Sequence, residues 1–140
     1  MQPAKILVVD DDTVARDLLA EALKKEGYSV EAYGSGEEAI ARGREGRVDL
    51  VLTDIRMGAV DGLTVLREFK RMSQDTAIVV LTAFGSLEGA IEAIKQGAYD
   101  YLAKPFKKEE IKLVVQRSLD HCRLLRENTK FWEELKSKDE

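Results

Sequence analysis

The sequence holds almost none of the residues from which disulfide frameworks and soft-metal sites are built. Its 140 residues include one cysteine and one histidine. Cys122 therefore has no partner for an internal disulfide, and no cluster of cysteine and histidine competes for a soft metal ion. Residues 1–5 lack the charged start and the apolar stretch of a secretory signal. These absences favour a protein of the reducing cytoplasm.

Long apolar runs and an excess of basic charge are also missing. No run approaches the ~18 apolar residues that a membrane-spanning helix needs, so no membrane partner is expected. The net charge of −4 gives neither the basic footprint of a nucleic-acid-binding protein nor an attraction to anionic lipid. With 44% hydrophobic residues, the chain can build one α/β domain of ~120 residues and leave a short tail.

Five short apolar runs alternate with helical patterns along the chain. The first, third and fourth runs are continuous rather than alternating, which is typical of strands buried on both faces of a parallel sheet. The predicted strands are residues 6–9, 29–33, 49–53, 77–81 and 99–103. This order predicts a doubly wound α/β fold whose right-handed crossovers place helices on both faces of a five-stranded sheet.

The segments between the strands predict five helices. In the first helix, we expect Val14, Leu18, Ala22 and Leu23 to form the apolar face. The second helix begins at Ser35, with Glu38 as the partner of a capping box. The predicted helices are residues 14–26, a segment that begins at 35, residues 63–72, residues 87–96, and a long last helix from 108 to about 136.

Polar residues that could bind an ion or take part in a reaction follow four of the five predicted strands. Ligands of open parallel α/β sheets bind beyond the carboxyl ends of the strands, so these residues are expected to meet at one rim. The first strand is followed by Asp10 and Asp11, the third by Asp54, the fourth by Thr82 and the fifth by Lys104.

This set of side chains suits phosphoryl transfer. Carboxylates held close together repel unless a cation offsets their charge, and Mg²⁺ prefers such oxygen ligands. Phosphoryl transfer needs an in-line nucleophile, a cation and donors around the phosphoryl oxygens. We expect Asp54 to be the nucleophile and to hold Mg²⁺ with Asp11, with Asp10 assisting through water. Lys104 and the Thr82 hydroxyl then bind the phosphoryl oxygens.

These residues resemble the receiver domains of bacterial two-component response regulators, over residues 5 to about 118. The matching segments are Val8-Val9-Asp10-Asp11-Asp12, Asp54-Ile55-Arg56-Met57 followed by Asp61-Gly62, Leu81-Thr82-Ala83, and Tyr101 with Lys104-Pro105-Phe106. The resemblance implies a flavodoxin-like sheet with strand order 2-1-3-4-5. One position departs from the usual pattern: Gly58 stands where many members of the family have proline, which predicts a looser phosphorylation loop.

The resemblance also implies roles for individual residues. Asp54 is expected to take a phosphoryl group from a sensor histidine kinase, with Mg²⁺ held by Asp11, Asp54 and the backbone carbonyl of Arg56. Thr82 and Tyr101 are the implied switch pair, which changes the surface around the fourth helix, fifth strand and fifth helix. Lys104-Pro105 is the implied cis peptide. Such a domain is not an enzyme beyond slow self-catalysed phosphotransfer and autodephosphorylation.

The last predicted helix continues past the length of a receiver, so we divide the chain into a receiver at 1–120 and a helical extension at 121–140. Its later apolar residues have no predicted partner in the domain, which predicts a homodimer through this helix. The segment 124–128 resembles the linker helix of nitrogen-regulation-type transcription activators. That resemblance implies output ATPase and DNA-binding domains in the full-length protein. The apolar repeat runs through Ile111, Val115, Ser118, Cys122, Leu125, Thr129 and Trp132.

Two other functions compete with a receiver. In a haloacid-dehalogenase-like phosphatase, Asp10 would be the nucleophile and Asp12 the general acid, because residues 10–14 fit that family's motif. Against this, no late acidic pair is present to hold Mg²⁺, and Asp54 would have no role. The other hypothesis is a pseudo-receiver that binds partners without phosphorylation, and the intact acidic rim argues against it.

Overall fold

The computed structural model describes residues 3–83 and 87–138, in which strands and helices alternate. The strands are β1 (Lys5–Val9), β2 (Ser29–Tyr33), β3 (Leu50–Asp54), β4 (Ala77–Thr82) and β5 (Asp100–Ala103). The helices are α1 (Thr13–Lys25), α2 (Gly36–Gly43), α3 (Gly62–Met72), α4 (Leu87–Lys95) and α5 (Lys108–Lys138).

All the strands pair in parallel in the order β2-β1-β3-β4-β5, which confirms the predicted fold. The continuous apolar sequences of β1, β3 and β4 are explained by burial on both sides of the sheet. One core lies between the sheet and α1 and α5, and the other between the sheet and α2, α3 and α4. In this strand order, β3 is the central strand and lies between β1 and β4.

The first three helices begin at short polar side chains that cap their free N–H groups. Asp12 accepts from the N–H of Val14, and Asp61 accepts from the N–H of Thr64. Ser35 caps α2 by accepting from the N–H of Glu38, so the predicted start of that helix is confirmed. The caps of α1 and α3 also fix the ends of the loops that follow β1 and β3.

The face that α1 presents to the sheet differs from the predicted one. Val14 is 78% exposed and Leu18 is 58% exposed, so their expected burial is wrong. Leu23 is buried as predicted and Ala22 is partly buried, while Leu19 is buried in place of the two exposed residues. The helix carries two adjacent apolar stripes, and the one formed by Leu19 and Leu23 packs on the sheet. A pattern of period 3.6 does not by itself choose between neighbouring stripes.

Helix α5 packs on the sheet in its first half and leaves it in its second half. The buried positions of its first half are Ile111, Val114, Val115, Ser118, Leu119 and Cys122. Beyond them, Leu124, Phe131 and Trp132 are 63%, 56% and 57% exposed. The first four residues of the predicted apolar repeat therefore serve the core and are not free to pair with another chain. Within the described residues, none of the helices is long and apolar enough to cross a bilayer.

Candidate functional site: an acidic rim at the carboxyl end of the sheet

The structure brings three predicted carboxylates together at the carboxyl edge of the sheet. Asp10 directly follows β1, and Asp54 is the last residue of β3, which is the neighbour of β1. Oxygen atoms of Asp10, Asp11 and Asp54 all lie within 4.8 Å of one another. Asp10 is fully buried, Asp11 is exposed and the side chain of Asp54 is 13% exposed. One side of the cluster is therefore open to solvent.

Lys104 supplies the positive charge of the site. Its Nζ atom lies 2.8 Å from Asp54 Oδ2 and 2.8 Å from Asp10 Oδ2. The lysine follows β5, and its N–H donates to the carbonyl oxygen of Thr82 at 2.8 Å. The bond between Lys104 and Pro105 is cis, as the family resemblance implied. A residue from the fifth strand thus reaches carboxylates carried by the first and third.

Burial and charge shift the ionisation of the two innermost groups. Burial raises the pKa of Asp10, the Lys104 ammonium and the N–H of Asp12 lower it in part, and the charge of Asp54 raises it further. Burial alone would lower the pKa of Lys104. The carboxylates of Asp10 and Asp54 outweigh that effect, so the pKa of Lys104 is raised. The ammonium is therefore held charged between two acids.

The acidic cluster has more negative charge than the lysine can match. Three carboxylates and one ammonium leave a formal charge of −2 when all are ionised. Asp10 Oδ1 accepts from the N–H of Asp12 at 2.9 Å. Asp10 Oδ2 is at ion-pair distance from Lys104 but, among the described residues, receives no hydrogen bond of acceptable angle. A set of oxygen donors with unmatched charge fits a hard divalent cation.

The start of α3 packs directly on the end of β3. The N–H of Gly62 donates to the carbonyl oxygen of Ile55 at 2.9 Å. A Cβ atom at Gly62 would lie 2.2 Å from the carbonyl oxygen of Asp54 and 2.8 Å from Cα of Ile55. Glycine is therefore required for this close backbone approach. Asp54 Oδ1 accepts from the N–H of Arg56 at 3.0 Å, which orients the carboxylate.

Other residues predicted for the site lie beside the cluster. Thr82 ends β4 and is buried, whereas Tyr101 on β5 is 42% exposed. Arg56 lies in the loop after β3, and its carbonyl as a metal ligand stays a prediction. Gly58 has no atom within 4 Å of an added Cβ, so space does not demand glycine there.

Sequence analysis missed a second charged cluster at the opposite edge of the sheet. Asp49, immediately before β3, contacts Arg47 and Arg126, and Arg126 also contacts Asp75. We call Arg47, Asp49, Asp75 and Arg126 the amino-edge cluster. The sequence pattern assigns Asp49 only to the start of a strand and predicts no ion pairs for it. The available signal was a carboxylate at the start of an otherwise continuous apolar run.

The comparisons with known proteins agree with this geometry. The family model described as response regulator receiver domain matches residues 6–116. The chain belongs to this family. The transcriptional regulatory protein ZraR of Salmonella typhimurium is 42% identical over 118 residues, which are 84% of this chain and 27% of that protein. The DNA-binding transcriptional regulator NtrC of the same organism is 36% identical over 121 residues, covering 86% of this chain and 26% of that protein.

Solved structures give the same assignment for the receiver. NtrX from Brucella abortus in complex with ADP matches with a TM-score of 0.88 and 36% identity, over 93% of this chain and 30% of that chain. The isolated receiver domain of the same NtrX matches with a TM-score of 0.79 and 37% identity, over 82% and 98%. The chain thus spans about a quarter of the curated relatives it matches. The phosphatase alternative based on Asp10 has no support among these matches.

Proposed function

We propose that Asp54 is the phosphoacceptor of a two-component phosphorelay and that a sensor histidine kinase is its donor. The observation that carries the proposal is the position of Lys104 Nζ, 2.8 Å from carboxylate oxygens of both Asp54 and Asp10. This ammonium pairs with the Asp54 carboxylate before transfer and can bind the phosphoryl oxygens once the group is attached to Asp54. The open side of the cluster at Asp11 leaves a route for the donor.

The transfer is a displacement at phosphorus. An oxygen of Asp54 forms the new P–O bond while the P–N bond of the donor phosphohistidine breaks and its electron pair returns to the imidazole. The N–H of Arg56 holds Asp54 Oδ1, so the carboxylate keeps one orientation. Lys104 moves with the phosphoryl oxygens, and the Thr82 hydroxyl donates to one of them. Slow self-catalysed phosphotransfer and autodephosphorylation are the only turnover we propose.

Mg²⁺ is the proposed cofactor. Asp10, Asp11, Asp54 and the backbone carbonyl of Arg56 would hold it, with Asp10 acting through water. When bound, the ion supplies charge neutralisation to the phosphoryl oxygens. The fit rests on the oxygen donors within 4.8 Å of one another and on the formal charge of −2.

The proposed output is a change of the surface around α4, β5 and α5. Thr82 is buried at the end of β4, and Tyr101 projects from the neighbouring strand with 42% of its surface exposed. When the Thr82 hydroxyl turns toward the new phosphoryl oxygens, space opens beside β5 and Tyr101 rotates inward. Phosphorylation adds ~1.5–2 negative charges and so biases the balance between the two states.

We further propose that residues 1–120 act as the receiver of a longer cytoplasmic regulator and that residues 121–140 are its linker helix. The relatives named as transcriptional regulators support an output of that kind. On that basis an ATPase domain and a DNA-binding domain belong to the full-length protein.

A second copy of the chain is the proposed partner of the exposed half of α5. Leu124, Asn128, Phe131 and Leu135 follow one another at steps of four, three and four, which is the spacing of a coiled-coil seam. Leu124 and Phe131 are more than half exposed, and Leu135 is 37% exposed. A single asparagine inside such a seam favours one register over slipped pairings. Leu125, Thr129 and Trp132, the later residues of the predicted repeat, lie on the neighbouring stripe of the helix, and their part in a dimer stays a prediction.

Phosphorylation is tested with acetyl phosphate and Mg²⁺, followed by intact-mass measurement with and without hydroxylamine. The native chain should gain one hydroxylamine-labile phosphoryl group, and Asp54→Ala should gain none. Asp17→Ala is the matched control, because Asp17 is an exposed carboxylate of α1 outside the cluster. Retention of the label in Asp54→Ala refutes the assignment. Release of many phosphates per chain supports the phosphatase, and absence of label from the native chain supports the pseudo-receiver.

The dimer is tested by sedimentation velocity with and without phosphodonor. Leu124→Ser combined with Phe131→Ser should be monomeric under conditions in which the native chain is dimeric. Lys130→Ser is the control, because Lys130 is exposed and lies outside the seam. A native chain that stays monomeric with and without phosphodonor rules the proposal out.

A further inference from the structure

Asp49 forms the buried centre of the amino-edge cluster. Its residue is 3% exposed, and Oδ2 accepts from the N–H of Lys5 at 2.7 Å. Arg47 Nε lies 2.8 Å from Oδ1, and the Arg126 guanidinium contacts the same oxygen. Burial would raise the pKa of Asp49, but the N–H of Lys5 and the two guanidinium groups outweigh it and lower the pKa. Asp49 is thus held as a carboxylate that requires these donors.

Arg126 joins α5 to three separate points at this edge. Besides Asp49, its Nε atom lies 3.1 Å from Asp75 Oδ2 in the loop between α3 and β4. Its Nη2 atom donates to the carbonyl oxygen of Val48 at 3.2 Å. The side chain of Arg126 is 26% exposed, so solvent screens these contacts less than those of a surface pair. A planar guanidinium with several fixed partners restricts the direction of the helix that carries it.

Arg126 is also the last point at which α5 is tied to the domain. It lies one turn after the buried Cys122, on the same face of the helix. In the described side chains up to Leu135, no residue of α5 beyond Arg126 forms a hydrogen bond or ion pair with the sheet or another helix. Residues 127–135 thus extend about 14 Å with no hydrogen bond or ion pair to the rest of the domain among the described side chains.

We propose that Arg126 is a positioning residue that clamps α5 to the amino edge of the sheet and fixes the direction in which the tail helix leaves the domain. At 3.6 residues per turn, Leu124 and Arg126 are about 160° apart around the helix axis. The clamp therefore holds Leu124, Phe131 and Leu135 on the side of the helix opposite Arg126, pointing away from their own domain. The inference goes beyond the proposed function and requires neither phosphorylation nor dimerisation.

The test measures an intramolecular distance by electron spin resonance. Spin labels are attached at Glu21→Cys on α1 and Glu133→Cys on the tail, both of which are exposed positions. Native Cys122 is 1% exposed and should not react in the folded protein. The labelled full chain is diluted into unlabelled protein, so a dimer contributes no distance. We expect one narrow distance distribution when Arg126 is present and a broad distribution in Arg126→Gln.

Two further variants separate a clamp from a general stabilising contact. Asp75→Asn removes the negative charge of one partner of Arg126 and should broaden the distribution in part, so it also serves as the test if Arg126→Gln does not fold. Arg123→Gln should leave it unchanged, because Arg123 is exposed and its one ion pair within residues 3–83 and 87–135 is with Asp120 on the same helix. A native-like distribution in folded Arg126→Gln overturns the inference, as does broadening of the same size in Arg123→Gln. If Arg126→Gln does not fold, a native-like distribution in Asp75→Asn overturns it.

Discussion

Substitution of Gly62 by alanine tests the contact that fixes the end of β3. The added methyl group would meet the carbonyl oxygen of Asp54 at 2.2 Å and Cα of Ile55 at 2.8 Å. Both are backbone atoms, so neither can turn away as a flexible side chain would. The start of α3 or the end of β3 must move by roughly 1 Å to reach ordinary van der Waals distance. That movement displaces Asp54, the proposed phosphoacceptor.

The magnitude follows from two opposing effects. Overpacking of this kind costs about 1–3 kcal/mol. Alanine in place of glycine in a helix returns at most about 1 kcal/mol, and less at the first turn. We therefore expect Gly62→Ala to lower the free energy of unfolding by about 1–2 kcal/mol. The rate of phosphorylation by acetyl phosphate should fall as well, because the Asp54 carboxylate is displaced from its position beside Lys104.

Gly58→Ala is the matched control in the same loop. No atom lies within 4 Å of its added Cβ, and its φ is not positive. Alanine there restricts the unfolded chain and should raise the free energy of unfolding by about 0.4–1 kcal/mol. Urea denaturation measures both variants, and the phosphorylation rate is followed by intact mass. Equal stability of the two variants would refute the reasoning, because it would mean that the backbone around Gly62 accommodates a methyl group without loss of stability.

Three further outcomes follow from burial and charge. Leu19→Ala should lower the free energy of unfolding by about 2–5 kcal/mol, and the neighbouring Leu18→Ala should change it by less than about 0.5 kcal/mol, as urea denaturation will show. The pKa of Glu31 is lowered from 4.5 to about 2, where burial is outweighed by hydrogen bonds from neighbouring side chains. Its stabilisation is therefore complete above pH 4.5 and is lost as the pH falls through about 2, so Glu31→Gln should flatten acid denaturation in that window. Added Mg²⁺ should raise the urea midpoint of the native chain and raise it less for Asp11→Asn.

The sequence was informative where topology converts position along the chain into proximity. In a parallel sheet every strand ends at the same edge, so residues just after β1, β3 and β5 become neighbours whatever their distance along the chain. Asp10, Asp54 and Lys104 could be grouped on that basis alone. Tyr101 could be placed on β5, but its exposure of 42% was not readable from the sequence pattern.

The sequence was less informative where two arrangements satisfy the same pattern. Val14 and Leu18 form an apolar stripe beside that of Leu19 and Leu23, and the hydrophobic pattern accepts either as the buried one. The shape of the sheet and the position of α5 decide between them. In α5, the repeat that ended at Trp132 mixed residues that face the sheet with residues beyond its edge. Periodicity identifies a helix face but not the point at which its partner ends.

The amino-edge cluster obeys the same geometry as the acidic rim, yet it is harder to find from sequence. Residues just before parallel strands also share an edge, so Asp49 and Asp75 were predictable neighbours before β3 and β4. Arg126 reaches that edge only because α5 starts at the opposite rim and runs back along the sheet. The 18 residue steps from Lys108 to Arg126 span about 27 Å, whereas the four steps of β3 span about 13 Å. A charged side chain on the buried face of a helix, placed farther from the helix start than the length of a strand of the sheet, is therefore a candidate anchor at the far edge. That criterion selects Arg126, which follows Cys122 by four residues, and does not select the exposed Arg123.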